Sequence, residues 1–312
     1  VTCTATDSSG NTVTGSFTVT VRDTTPPTLS LPGAITAEAT GPDGAAVTYS
    51  ATATDLVDGA VTAVCMPASG SVFPIGATTS QTTTVTCTAT DAHGNSASGS
   101  FSVTVQDTTP PTLSLPADIV TPATSLSGAA VTYSATATDL VDGAVTPVCT
   151  PDSGSMFSIG VTTVNCTATD AHGNTSKGSF TVRVSYQTSG FFQPVTPSPY
   201  APSTINWNTV KAGSTVPLKF QVFAGSDQVT STSVVQQPLT LTQFNCSSGT
   251  QDSVDITSTG GTSLRYDTTA GQFVYNWQTP KQSGACYWVT VTLLDGSSTS
   301  PGTSIQAFFM LK

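Results

Sequence analysis

Apolar and polar residues alternate with a period of two along most of this chain, and no stretch carries the three-to-four spacing of a helix. Val47, Tyr49, Ala51 and Ala53 fall on one face of a segment, Val85, Cys87 and Ala89 on one face of another, and Phe101, Val103 and Val105 on one face of a third. Short runs of this kind, separated by Gly, Pro, Asn and Asp, predict antiparallel strands with one buried face, the pattern of a β-sandwich. The pattern recurs. Asp-Thr-Thr-Pro-Pro-Thr-Leu-Ser-Leu-Pro begins at Asp23 and again at Asp107, and one seventeen-residue sequence, starting Ala-Val-Thr-Tyr-Ser, fills both 46–62 and 130–146. A period of 84 residues, from Asp23 to Asp107, is long enough for each copy to bury its own core, so each copy is expected to be a domain.

The repeats set the domain organisation. Residues 1–22 match only the last two strands of a repeat: Val1, Cys3 and Ala5 alternate, a turn follows at Asp7–Asn11, and Phe17, Val19 and Val21 alternate again. Two strands alone are marginal in water, so either upstream residues complete this piece or another chain supplies the missing strands. Residues 23–106 and 107–185 are whole repeats, the second five residues shorter between its cysteines. A Pro-rich linker is expected at 186–204, then a different β domain at 205–312 that holds all three tryptophans. In that domain Val216, Leu218 and Phe220 alternate, as do Phe273, Tyr275 and Trp277, then Val289 and Val291, with Ala307-Phe-Phe-Met-Leu as a closing strand. The fold class is all-β: tandem immunoglobulin-like sandwiches plus a distinct C-terminal sandwich.

Charge narrows the function classes. The net charge of −10 lies wholly in residues 1–184, while 185–312 balance five Asp against five Lys or Arg. An acidic, Lys-poor array offers no basic face to neutralise phosphates, which argues against nucleic acid as a partner. No apolar run reaches the length of a membrane span. Val1 opens inside a repeat, with neither an initiating Met nor a signal peptide, so the chain is read as a mature or truncated piece of something longer. Of seven cysteines, spacing pairs Cys65 with Cys87, Cys149 with Cys166 and Cys246 with Cys286, and leaves Cys3 odd. Each bridge would contribute about 3 kcal/mol by constraining the unfolded chain, and together they imply an oxidising, extracellular or cell-surface setting. With no Cys-x-x-Cys pair and two histidines, a tetrahedral zinc site is not expected.

Two resemblances follow from these motifs. Residues 23–185 resemble hyalin repeats, extracellular immunoglobulin-like modules, through Asp23, Pro26, Pro27, Cys65, Cys87, Asp91, Gly94 and Asn95, and again Asp107, Pro110, Pro111, Cys149, Cys166, Asp170, Gly173 and Asn174. Residues 205–312 look like the PxKF module at the carboxyl end of bacterial secreted proteins, through Pro217-Leu-Lys-Phe220, Trp277-Gln-Thr-Pro-Lys281, Cys286 and Ala307-Phe-Phe. The resemblance to hyalin-type modules implies adhesion or structural spacing and not catalysis.

Candidate chemistry concentrates in the loops. At one end of a sandwich the incoming linker and two loops would gather Asp23, Asp55, Asp58, Asp91 and Asn95, and in the second repeat Asp107, Asp139, Asp142, Asp170 and Asn174. Calcium takes six to eight oxygens, so these are candidate calcium ligands that would stiffen a joint. The competing reading is that Asp and Asn sit there to close turns. His93 and His172 recur in one turn and read as tolerated turn residues, because no serine or cysteine has a histidine and a carboxylate placed for a triad. Trp207, Trp277 and Trp288 are candidates for stacking on a sugar or other cell-wall ligand, with core packing as the alternative. Asn165, Asn174 and Asn245 fit the glycan acceptor pattern.

The sequence thus predicts a non-catalytic extracellular structural protein: a stalk or fibre subunit at a microbial surface, polymerising through residues 1–22 by strand complementation. A carbohydrate-binding adhesin with its site in the C-terminal domain is the alternative. In a third reading the chain is the appendage of an enzyme encoded upstream.

Overall fold

The computed structural model describes residues 1–196, 207–244, 246, 254–255, 263–296 and 302–312, and these are nearly all β. The helical element among them is one 3-10 turn, Thr232–Val234, so no described helix is long and apolar enough to cross a membrane. Of the Pro-rich linker expected at 186–204, residues 197–204 lie outside the described residues, as does the acceptor Asn245. The linker expected from residue 186 opens instead as a strand: Gln187–Phe192 pairs antiparallel with Thr215–Ala224, and buries Phe191. The alternation of Thr188, Gly190 and Phe192 against Phe191 suits a strand, and the proline run begins only at Pro194.

The first repeat is a two-sheet sandwich. One sheet orders Ile35–Glu38, Ser96–Gln106, Gln81–Thr90 and Ala63–Met66, with the first pair parallel and the others antiparallel. The other orders Thr28–Ser30, Thr52–Asp55 and Gly59–Val61. The period-two residues turn inward as the sequence predicts: Val85, Cys87, Val103 and Val105 are fully buried, with Phe73 and Val47 closing the core. A buried side chain of this size contributes roughly 1.5–3 kcal/mol. Gly44, at φ +104°, lies against the core edge, where a Cβ would stand 2.0 Å from the Phe73 carbonyl oxygen. Any side chain there forces that strand pair apart.

Disulfides join Cys65 to Cys87, Cys149 to Cys166 and Cys246 to Cys286. In both repeats the bridged residues face each other on adjacent strands of one sheet, so the bridge pins register within a sheet rather than one sheet to the other. Cys3 is unbridged and exposed.

The second repeat reuses the scheme, with Ile119–Pro122 parallel to Thr175–Ser185 and Val148–Thr150 against Gly160–Thr169. In the C-terminal region, Thr215–Ala224 lies between Gln187–Phe192 and Gln272–Gln278 in one sheet. Ser304–Leu311 lies between Trp207–Val210 and Cys286–Thr292 in the other. Trp277 bridges the two, packing edge-on against Tyr287 and Phe309. Asp295, fully buried, accepts hydrogen bonds from Tyr186 N (2.7 Å), Thr303 N and Thr303 Oγ1 (2.6 Å each), and its Oδ1 lies 3.7 Å from Arg183 Nη1.

The chain divides into two compact units that do not follow the repeat boundaries. One is Val1–Thr112 with Thr138–Val145 and Thr169–Thr175; the other is Leu113–Ala137, Thr146–Ala168 and Ser176–Lys312. The Asp-rich end of the second repeat therefore belongs with the first repeat.

Candidate functional site

Each complete repeat ends in a carboxylate cluster built from three local devices. The first is a turn after the Thr52–Asp55 strand, where Asp55 Oδ1 accepts from Val57 N (2.7 Å) and Asp58 N (3.0 Å). The second is the hairpin turn at 91–95. Asp91 Oδ1 accepts from His93 N (2.9 Å) and Asn95 N (2.8 Å), while Oδ2 accepts from Asn95 Nδ2 (2.7 Å). The third is the incoming chain, where Asp23 Oδ1 accepts from Thr25 N (3.1 Å) and the Asp23 carbonyl from Asn95 Nδ2 (3.5 Å). Such side chain-to-backbone bonds are the usual reason for Asp and Asn in turns.

The turn at Asp7–Asn11 isolates that structural role. Asp7 makes the same bonds to Ser9 N, Asn11 N and Asn11 Nδ2, each 2.9 Å, with no other carboxylate nearby and no histidine. The Asp91–Asn95 and Asp170–Asn174 pairs are therefore turn closures first, and these hydrogen bonds hold the Asp91 carboxyl below its ordinary range although its burial pushes the other way.

What remains after the turns are satisfied is a convergence of oxygens on one imidazole. His93 Nδ1 lies 3.0 Å from Asp58 Oδ2 and 3.5 Å from Asp23 Oδ2. His172 Nδ1 lies 3.0 Å from Asp142 Oδ2 and 3.5 Å from Asp107 Oδ2. The ligand atoms of Asp23, Asp55, Asp58 and Asp91 all fall within 4.8 Å of one another, as do those of Asp107, Asp139, Asp142 and Asp170. Asp23, Asp55, Asp107 and Asp139 each keep a buried Oδ2 with no hydrogen-bond partner. Burial, with the charges of Asp139 and Asp170, raises the Asp107 carboxyl above its ordinary value despite the Thr109 N–H.

The two clusters differ in their cover. His93 is 46% exposed at its side chain, and the hydrogen bond and charge of Asp58 raise its pKa. His172 is 4% exposed, and its Nε2 donates to the Gly76 carbonyl of the first repeat at 2.8 Å. Burial alone would lower its pKa, but Asp142, the Gly76 carbonyl and Asp107 outweigh it and the net shift is upward. Glu38 adds a second clasp, accepting from Thr108 N, Thr108 Oγ1 (3.1 Å) and Thr109 Oγ1 (3.3 Å). Val141 joins the buried apolar cluster of the first repeat.

The sequence locates the Asp and Asn residues but misreads the histidines, which are bonded members of the clusters and not spare turn residues. The signal was in the copies: Ser9 stands where the turn lacks Asp partners, and His93 and His172 stand where it has them. Asp295 was not singled out, because Tyr186 and Arg183, which it meets, lie more than a hundred residues away in the chain, and the clasp of Glu38, the only Glu, depends on Thr108 70 residues on. Of the stacking candidates, Trp277 is 1% exposed and belongs to the core. Trp207 and Trp288 are half-buried on either side of Phe308, with ring centroids 6.2 and 5.5 Å from it.

Comparison with known proteins places these features. The sequence model of the HYR domain matches residues 22–105 and 106–184. Hyalin of Lytechinus variegatus is 38% identical over 189 residues, covering 57% of this chain and 35% of that protein. Hyalin of Strongylocentrotus purpuratus is 37% identical over 195 residues, covering 59% and 16%. The chain thus spans about a third or less of the curated relatives it matches. Among solved structures, the immunoglobulin domains 1–5 of Sidekick-1 align over 99% of this chain and 65% of theirs, at 14% identity and TM-score 0.28. Mouse cadherin-23 EC22-24 aligns over 92% and 99%, at 14% identity and TM-score 0.27.

Proposed function

The chain belongs to the HYR domain family, and from that premise we propose that it is a non-catalytic, extracellular structural protein of adhesion type, serving as a stalk or fibre subunit. The observation that carries this reading is the clasp between successive repeats. His172 to Gly76, Glu38 to Thr108 and Thr109, and Val141 in the first repeat's core tie the Asp-rich loops of the second repeat to the first repeat, a use of loop residues that suits a structural spacer. Disulfides that pin register inside a sheet serve the same end.

Assembly through residues 1–22 is part of the proposal. Thr2–Thr6 and Thr12–Ser16 form a hairpin in which every residue is exposed. The matching residues of the complete repeat, Val85, Cys87, Ala89, Phe101, Val103 and Val105, are buried. Val1, Phe17, Val19 and Val21 lack the cover that the other strands of a HYR sandwich give, and in this proposal a second chain supplies it by strand complementation, the other source being residues upstream of Val1. Electron microscopy of the isolated protein with and without residues 1–22 is the test. Filaments that vanish on deletion, with the remaining domains still folded, are expected. Filaments that survive it would sink strand complementation, and separate rods from the intact chain would leave a monomeric stalk. Sugar binding retains Trp207 and Trp288 as its stacking groups, since Trp277 is inside.

A further inference from the structure

The hydrogen bonding of His172 leaves its second ring nitrogen unexplained. A carbonyl oxygen can only accept, so the 2.8 Å contact with Gly76 places a hydrogen on Nε2. Nδ1 then faces Asp142 Oδ2 and Asp107 Oδ2, which as carboxylates can also only accept. A neutral ring would aim its lone pair at two anionic oxygens. Something positive has to sit on that side.

A proton on Nδ1 answers only part of the demand. It would bond Asp142 Oδ2 at 3.0 Å, yet Asp107 Oδ2 at 3.5 Å makes no hydrogen bond, and neither does Asp139 Oδ2. Both side chains are more than nine-tenths buried. Leaving a buried charged oxygen unmatched costs more than leaving a neutral polar group so. A divalent cation on that side meets the Nδ1 lone pair together with Asp107 and Asp142, and the ligand atoms of Asp107, Asp142 and His172 are already within 4.8 Å of one another.

We propose that Asp107, Asp142 and the Nδ1 of His172 form a site for a first-row divalent cation of the Mn²⁺ or Zn²⁺ class. The donor set selects the class. Imidazole beside carboxylates suits these ions, whereas calcium draws on an all-oxygen cage and leaves the nitrogen unused. The Gly76 carbonyl supplies what a ligating histidine usually has, an acceptor for its other N–H that fixes tautomer and ring orientation. Asp170 spends its carboxylate on Asn174 and stands outside the ligand set. Asp23, Asp58 and His93 repeat the donors at the first repeat, but with a half-exposed imidazole whose Nε2 has no such anchor among the described hydrogen bonds, so that copy binds more weakly. The proposal is independent of how the chain assembles.

Calorimetry on the full chain, stripped with chelator and titrated in turn with Mn²⁺, Zn²⁺ and Ca²⁺, tests it. The expected result is one tighter and one weaker equivalent of Mn²⁺ or Zn²⁺. His172→Gln should weaken the tighter by about tenfold or more, and His93→Gln should change only the weaker. Because His172→Gln can loosen the fold, electron spin echo measurements on the Mn²⁺-loaded natural protein provide a variant-free readout, with modulation from a directly bound nitrogen expected. No binding of either metal, or an echo that reports oxygen ligands alone, overturns the proposal; calcium binding indifferent to His172→Gln overturns it in favour of an oxygen cage.

Discussion

Asp55–Gly59 and Asp139–Gly143 have one sequence, Asp-Leu-Val-Asp-Gly, and two environments. Val57 is 62% exposed where Val141 is 8% exposed, and the neighbouring imidazoles go from 46% to 4%. Nothing inside the loops accounts for this, since both close through the same Asp Oδ1 bonds to the same backbone N–H groups. The difference is the neighbour: the base of the first repeat covers the second cluster, and among the described residues no counterpart of the Gly76 and Glu38 contacts meets the first.

The widest separation between the two ends should appear on removing the imidazoles. His172→Ala deletes the partner of the buried Asp107, of the part-buried Asp142 and of the Gly76 carbonyl, and breaking a buried pair costs on the order of 3–5 kcal/mol. His93→Ala removes a contact of a half-exposed imidazole and should cost far less. Chemical denaturation of each variant, followed by hydrogen exchange in Gln81–Gln106, gives the two values. Equal losses would mean that cover contributes nothing.

The valines give the apolar version of the contrast. Val141→Ala removes methyl groups from a packed cluster and should cost roughly 1–2 kcal/mol, and Val57→Ala should stay within about 0.5 kcal/mol. The same unfolding measurement decides it. A costly Val57→Ala would show that the first end is covered in solution.

How much of this was legible beforehand follows from where each signal resides. The alternation of Val85, Cys87 and Ala89 and of Phe101, Val103 and Val105 announces strands and their buried face, because a period of two is local. The meeting of Asp23, Asp55, Asp58 and Asp91 was legible from the sandwich topology. The roles of Glu38, Gly76 and Val141 were not, because Glu38 and Gly76 depend on partners 70 and 96 residues distant and Val141 on a cluster supplied by the other repeat, approaches that no local pattern records. Trp277 failed as a stacking candidate for a related reason: alternation shows that one face is buried, but residue type alone does not say which face.

The smallest effect should come from the clasp at Glu38, and it sharpens the comparison most. In register with the last strand, Glu38 stands opposite Gln106, and Pro122 stands opposite Ser185 in the second repeat. Pro122 has no carboxylate to offer, so the second repeat cannot make this clasp on whatever follows it. The Thr108 and Thr109 groups held by Glu38 are exposed, and water can replace the carboxylate, so Glu38→Ala should cost only about 1 kcal/mol. The change should nonetheless raise hydrogen exchange at the Thr108 amide, while the Thr109 amide, held by Asp107 Oδ1, and the hydrogen-bonded amides of Gln81–Thr90 stay protected. Unchanged exchange at Thr108 would assign the hold on the joint to His172 and Val141 alone, and the difference between Glu38 and Pro122 would then carry no information about which modules can follow which.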